Sequence, residues 1–232
     1  MEMDLKLYGL GIINDYYEVT MIGFIGGTGP EGRGLALRFA LAGEKIFIGS
    51  RERDRGIEVA QQISEHCPRS VEGGDNYEAS SKSDIVVIAT PYAPQKDTIN
   101  SLKSNLDDKL IINVIAPLSF NKGNISSIRV EDGSAALECQ KLLPNSSVVS
   151  AFNNISAQDL LKKDKKIDCD VIICGDDEIA KKTVMTLAEK ISSVRAIDGG
   201  RLENSRYVED LTALLLNINK IYKWHSSIKI VS

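Results

Sequence analysis

Histidine is nearly missing from this chain of 232 residues, which has two, together with a single tryptophan and 6% aromatics overall. No GxSxG elbow, HExxH pair or Walker lysine is present, so the common hydrolase and kinase chemistries have no anchor. His66 falls at the expected end of the second helix and His225 beside Trp224. Neither has the setting of a general base oriented by a carboxylate, and each reads as an exposed or packed histidine. A basic excess is missing too. Lys plus Arg number 28 against 32 Asp plus Glu, a net charge of -4, and nucleic acid is therefore not an expected partner. The longest apolar stretch, Leu211 to Leu216 with Thr212 inside it, is far below the ~18 to 20 residues of a membrane span. The first residues carry Glu2, Asp4 and Asp15 with neither a basic region nor a long apolar one, so no secretory signal is read and a cytoplasmic location is expected. Cys67, Cys139, Cys169 and Cys174 form no CxxC pair; Cys169 and Cys174 would point to opposite faces of a strand. They read as structural thiols, and no metal site is expected.

What is present is alternation. Strand-like runs at Ile22 to Ile25, Lys45 to Gly49, Asp84 to Ala89, Leu110 to Val114, Val148 to Phe152, Val171 to Cys174 and Val194 to Ile197 are separated by helix-length amphipathic segments. The expected fold is α/β, a Rossmann-type doubly wound and mostly parallel sheet with a small C-terminal α/β lobe. Residues 1–20 form an N-terminal extension, with Met1 or Met21 as the start; residues 21–165 form the nucleotide-binding domain; residues 166–232 form the small lobe. Near its end, Ser205 to Trp224 has apolar residues at three- and four-residue steps, and Leu214, Leu216 and Ile221 widen the stripe past one face. Such a helix enters the core or meets a second subunit, and a homodimer is expected.

The first run leads directly into GxGxxG, written Gly27-Thr28-Gly29-Pro30-Glu31-Gly32. Strand before and helix after are the context this motif needs. Gly27 would permit a tight turn, Gly29 would let backbone amides approach a pyrophosphate, and Gly32 would let helix pack on strand. Pro30 suits the first helical position. Glu31 would repel phosphate if turned inward and is expected to face solvent.

At the end of the second strand an NAD-binding domain usually places an acid on the ribose 2′-hydroxyl. Here stands "SRERDRG", Ser50 to Gly56. A hydroxyl and guanidinium forks would bind a 2′-phosphate through charge-assisted hydrogen bonds. Helical spacing brings Arg51 and Arg55 together and turns Arg53 elsewhere. NADP is therefore expected over NAD.

Two loop tips at strand ends, Thr90-Pro91-Tyr92 and Phe152 to Ala157, would flank a cleft, with Tyr92, Asn153 and Ile155 beside a nicotinamide and a planar partner. The run "LLKKDKKID" reads as a solvated face that could also attract an acidic tail on a substrate. Hydride transfer between two cofactors fits the shortage of acids and bases, because the protein supplies placement and water exclusion. No catalytic side chain is expected.

The stretches "IGGTGPEGRGLALRFA", "IGSR", "ATPY", "SAAL", "VVSAFNNISA", "DVIICGDDEIAKKTVMTLAE" and "IDGGRLENSRYVEDLTALLLNI" resemble the coenzyme F420-dependent NADP reductases. The resemblance runs from about Met21 to the end. It implies a Rossmann-type NADP domain, a dimer, and direct hydride exchange between deazaflavin C5 of coenzyme F420 and nicotinamide C4. Carried over, Thr28 to Glu31 would meet the pyrophosphate, Ser50, Arg51 and Arg55 the 2′-phosphate, Tyr92 and Ala157 the nicotinamide, and Asn153 and Ile155 the deazaflavin. Asn153 replaces a frequent histidine, and "KWHSSIKIVS" replaces a glycine-rich tail. Both departures fall on the deazaflavin side. The triplet "AFN" also resembles NADPH-dependent ferric reductase domains. A flavin or ferric reductase is thus the alternative enzyme, and an NADPH-binding sensor or regulatory module the alternative without catalysis.

Overall fold

The computed structural model describes residues 20–121 and 123–231. Apart from Thr20, the expected N-terminal extension lies outside the described residues.

In chain order the elements are β1 (Met21–Ile25), α1 (Pro30–Leu41), β2 (Lys45–Ser50), α2 (Arg53–Ser64), β3 (Glu72–Asp75), α3 (Asn76–Lys82), β4 (Ile85–Ile88), α4 (Gln95–Leu106) and β5 (Leu110–Asn113). There follow β6 (Leu118–Asn121), β7 (Asn124–Ser127), α5 (Ala135–Leu142), β8 (Ser147–Ser150), α6 (Ala157–Leu160), β9 (Cys169–Gly175), α7 (Glu178–Glu189), β10 (Val194–Asp198) and α8 (Ser205–Tyr222). The main sheet has the order β10-β9-β8-β5-β4-β1-β2-β3. Its pairs are parallel except β8 with β9. This is the doubly wound α/β architecture expected. All seven expected runs are strands of this one sheet, and residues 166–232 extend it by β9 and β10.

Burial on both faces explains the unbroken apolar runs, since Val86, Val87 and Ile88 of β4 are inaccessible to solvent. One face packs Phe24, Phe39 and Phe152 under α1; the other packs Ile25, Ile88, Ile99 and Leu106 under α4. Phe39 meets Phe152 edge to face at 5.8 Å. Three strands lie outside the expected runs. β3 is the polar edge strand "EGGD", and β6 with β7 forms an exposed antiparallel hairpin.

Chain order turns back between β1 and β4, where the strand ends splay and leave a crevice. Phe152 follows β8 with φ of 67°, a left-handed conformation rare for a bulky side chain. Its fully buried ring holds it there, and the turn aims residues 153–157 across the crevice.

Two buried ionisable side chains tie these pieces together. Glu209 of α8 accepts from the Ala135 and Ala136 N–H groups at the start of α5, at 2.8 and 3.1 Å, where the helix N-terminus favours a carboxylate. Burial nevertheless outweighs those bonds and pushes its pKa up to about 8. On α1, Arg38 is 5% exposed and donates to the carbonyls of Leu160 at 2.7 Å and Asp159 at 2.9 Å, and also to those of Lys162 and Lys163. Those carbonyls close α6, and Gly34 lets that helix come near: a Cβ there would sit 2.7 Å from Leu160 Cβ.

Arg38→Ala leaves buried carbonyls without donors and should cost roughly 3 kcal/mol or more in chemical denaturation. Arg38→Lys should recover little, because an ammonium cannot reproduce the planar fork; recovery of most of the stability by lysine would show that charge alone matters.

Candidate functional site

The crevice holds two cavities at the C-terminal ends of β1, β2, β4 and β8. The first, about 240 Å³, is lined by Gly26, Thr28, Gly29, Ser50, Arg51, Glu52, Arg55, Asn76 and residues of the β4 end. The second, about 340 Å³, lies between the 153–158 loop and α8 and includes Glu31, Ile115, Thr212, Leu215, Leu216, Asn219, His225 and Ser226. Ala89 and Thr90 line both. The two cavities meet at the end of β4.

The first cavity has the chemistry of an anion site. No side chain caps Gly29 at the start of α1, so the first-turn amides are left for a ligand. The left-handed turn residue is Gly26, with φ of 74°, rather than Gly27. Gly27 instead bonds its N–H to the Gly49 carbonyl at 2.9 Å, and Gly32 packs against Gly27 and Ala89. A Cβ on Gly29 would meet nothing nearer than 3.5 Å, so the loop there is open to a pyrophosphate. Asn76, which carries no motif, accepts from the Gly26 N–H at 3.2 Å and braces the loop.

The arginines divide as their spacing suggests. Arg53 is paired with Glu78 at 3.0 Å, which raises its pKa, the hydrogen bond first and the charge second. Arg51 and Arg55 line the cavity, and among the described residues no ion pair holds either. Ser50 accepts the Glu52 N–H at 3.3 Å, leaving its own O–H to donate.

The second cavity departs from expectation. Glu31 is half-buried rather than fully turned to solvent. Its Oε1 is buried with no hydrogen-bond partner, and desolvation alone raises its pKa to about 8. Helix α1 begins at Pro30, so Glu31 sits in its first turn beside the cavity wall rather than over the pyrophosphate amides. Asn153, Ile155 and Ala157 line this cavity. The Asn153 side chain is occupied, donating to the Ile115 carbonyl at 3.0 Å and accepting from Ser150 Oγ at 3.2 Å. Atoms without partners here are Glu31 Oε1, Thr90 Oγ1 and Ser226 Oγ. Tyr92 is in neither cavity wall; its hydroxyl donates to Glu138 at 3.3 Å.

His225 also differs from its sequence reading. Its Nδ1 is 2.7 Å from Asp159 Oδ1, and it lines the second cavity. Burial would raise the pKa of Asp159, but bonds from Lys165, His225 and Lys162 win and hold it at about 2. No spacing rule links residues 66 apart, so this pairing had no signal in the sequence. The walls supplied by α8 were hidden likewise.

Residues 21–117 match the family model described as NADP oxidoreductase, coenzyme F420-dependent. The chain is 41% identical over 209 residues to the F420-dependent NADP reductase of Methanothermobacter thermautotrophicus, covering 87% of this chain and 90% of that protein. The chain belongs to the F420-dependent NADP reductase family. A solved structure from Arthrobacter sp. FB24, described as a candidate member of the family, shares the fold with a TM-score of 0.76 at 24% identity, over 92% of this chain and all of that one. Human metalloreductase STEAP2 is 28% identical over 90% of this chain but only 39% of its own length. Among the described residues no helix is long and apolar enough to cross a membrane, and no cluster of His, Cys, Asp or Glu could hold a metal.

In this family member, Arg51→Asp or Arg55→Asp should weaken NADPH binding tenfold or more, the order of ~1.4 kcal/mol, with little change for NADH; Arg53→Ala should change neither. Fluorescence titration with both nucleotides checks this, and equal losses for NADPH and NADH would reduce the cluster to a charged helix start.

Proposed function

We propose that the chain passes a hydride between NADP(H) in the first cavity and coenzyme F420 in the second. The observation that carries this reading is the shared wall: Ala89 and Thr90 bound both cavities, so two planar rings seated in them would face one another. Bound together, nicotinamide C4 and deazaflavin C5 exchange the hydride directly.

The residues present fit such a pair. On the nucleotide side, the uncapped start of α1 would hold the pyrophosphate, and Ser50, Arg51 and Arg55 the 2′-phosphate. On the acceptor side, Ile115, Ile155, Leu215 and Leu216 form an apolar slot, while Glu31 Oε1, Thr90 Oγ1 and Ser226 Oγ lack partners. A heterocycle with carbonyl and N–H groups along one edge would satisfy those atoms. Asn153 acts through the scaffold: with Thr212 Oγ1 donating to its carbonyl at 2.8 Å, it fixes the loop against α8. A flavin or ferric acceptor, or a sensor without turnover, is not favoured.

The homodimer reading rests on α8. Tyr207, Leu211, Leu214, Ile218 and Ile221 follow steps of four and three along its outer side, the spacing of a helix-pairing seam. Tyr207, Leu214 and Ile221 are 61%, 56% and 69% exposed. A second copy would cover this stripe in a self-complementary contact.

Leu216→Trp, which fills the acceptor slot, should abolish turnover between NADPH and coenzyme F420 while NADP binding is unchanged; full turnover would place the acceptor elsewhere. Leu214→Glu combined with Ile221→Glu should give a monomer in sedimentation velocity, and an unchanged dimer would exclude α8 as the interface.

A further inference from the structure

We propose that Glu31 is the proton carrier of the acceptor cavity: as a neutral acid it gives its proton to the ring that has received the hydride, and as a carboxylate it takes that proton back when the ring gives the hydride up. This rests on the reading that the acceptor ring fills the second cavity. The need for a carrier is set by the balance of the reaction. NADPH yields a hydride and becomes NADP+, and the reduced acceptor holds that hydride plus one proton. In the forward direction the Glu31 O–H bond breaks, an N–H bond forms on the ring, and solvent restores the acid.

Geometry singles out Glu31. An exposed acid in the first turn of a helix is ordinarily ionised and stabilised by the helix N-terminus. Here Oε1 is buried in the cavity wall without any partner, and loss of solvent at a carboxylate oxygen that has no donor favours the neutral acid. Of the residues that line the cavity with it, only His225 is titratable, and its Nδ1 is bonded to Asp159. The end of β4 brings Ala89 and Thr90, and α8 brings Thr212, Leu215, Leu216 and Asn219, none of which titrates. Asp159 of α6 and His225 of the tail are bonded to each other, with Lys162 and Lys165 on the same carboxylate. Arg33 and Arg38 share the helix, and Arg38 is bound to the α6 carbonyls. Burial is the only cause of the raised pKa, about 8. That value lies near neutral pH, where a group can both give and accept a proton.

The test is Glu31→Gln, which keeps shape and removes the proton, with His225→Gln as comparator. In the wild-type protein, reduction of coenzyme F420 by NADPH should slow as pH rises through about 8, and the reverse reaction should quicken over the same range. Glu31→Gln should lower kcat about 10²-fold in both directions and flatten both profiles, with NADPH KM unchanged. Infrared titration of the free protein supplies a readout apart from turnover: the neutral carboxyl absorption lost near pH 8 should fall by one of two carboxyls in the glutamine variant, Glu209 supplying the one that stays. Wild-type rates and profiles in Glu31→Gln, a band that disappears in the ordinary carboxylate range, or a flattened profile in His225→Gln alone would each overturn the proposal. Should Leu216→Trp still abolish turnover in that event, the cavity reading stands and only the proton assignment falls.

Discussion

The bond set of Arg38 is the constraint on which the rest of this structure depends. One guanidinium, buried on the helix that follows the phosphate loop, holds the carbonyls that close α6. Desolvation lowers its pKa, opposed by the charges of Asp159 and Asp164. Arginine is suited to this place, since its fork serves several acceptors at once and it does not lose its proton. The helix that would hold the nucleotide phosphates and the loop that walls the acceptor cavity are thereby fixed as one body. Their spacing cannot drift without breaking several buried bonds together.

Around that brace, the two cavities differ in electrostatic character. The nucleotide side has exposed arginines and uncapped amides. Across Ala89 and Thr90 the lining turns more apolar, and burial raises the pKa of its own carboxyl. A dianionic phosphate and an apolar ring system would thus find separate surroundings a short distance apart. The C-terminal segment completes the second of these. Glu209 anchors α8 on α5, the Ser134 and Ser205 hydroxyls bond at 2.7 Å, and Asp170 accepts from the Ile230 N–H of the tail.

How much of this was legible beforehand divides along physical lines. Runs such as Ile85 to Ile88 announce strands because burial on both faces demands continuous apolar residues. β3 does not, because an edge strand of Glu-Gly-Gly-Asp buries almost no side chain. The separation of Arg51 and Arg55 from Arg53 follows from local spacing, and the pairing of Arg53 with Glu78 agrees with it. Orientation that depends on distant chain was beyond reach. Glu31 lines a cavity whose other walls come from α8 and the 153–158 loop, more than a hundred residues away. His225 likewise meets Asp159 only through the path of the tail. Asn153 lines the second cavity, but the commitment of its amide to Ile115 and Ser150 depends on the β5 and β8 ends being neighbours.

The seam at Ala89 and Thr90 has a stereochemical meaning. A ring seated on either side would present one face to the other across these two residues. Hydrogen passed over such a seam keeps a handedness at both carbons. An isotope placed on one prochiral position of the nicotinamide would therefore appear on one side of the acceptor carbon, undiluted by solvent, and would return to the position it left.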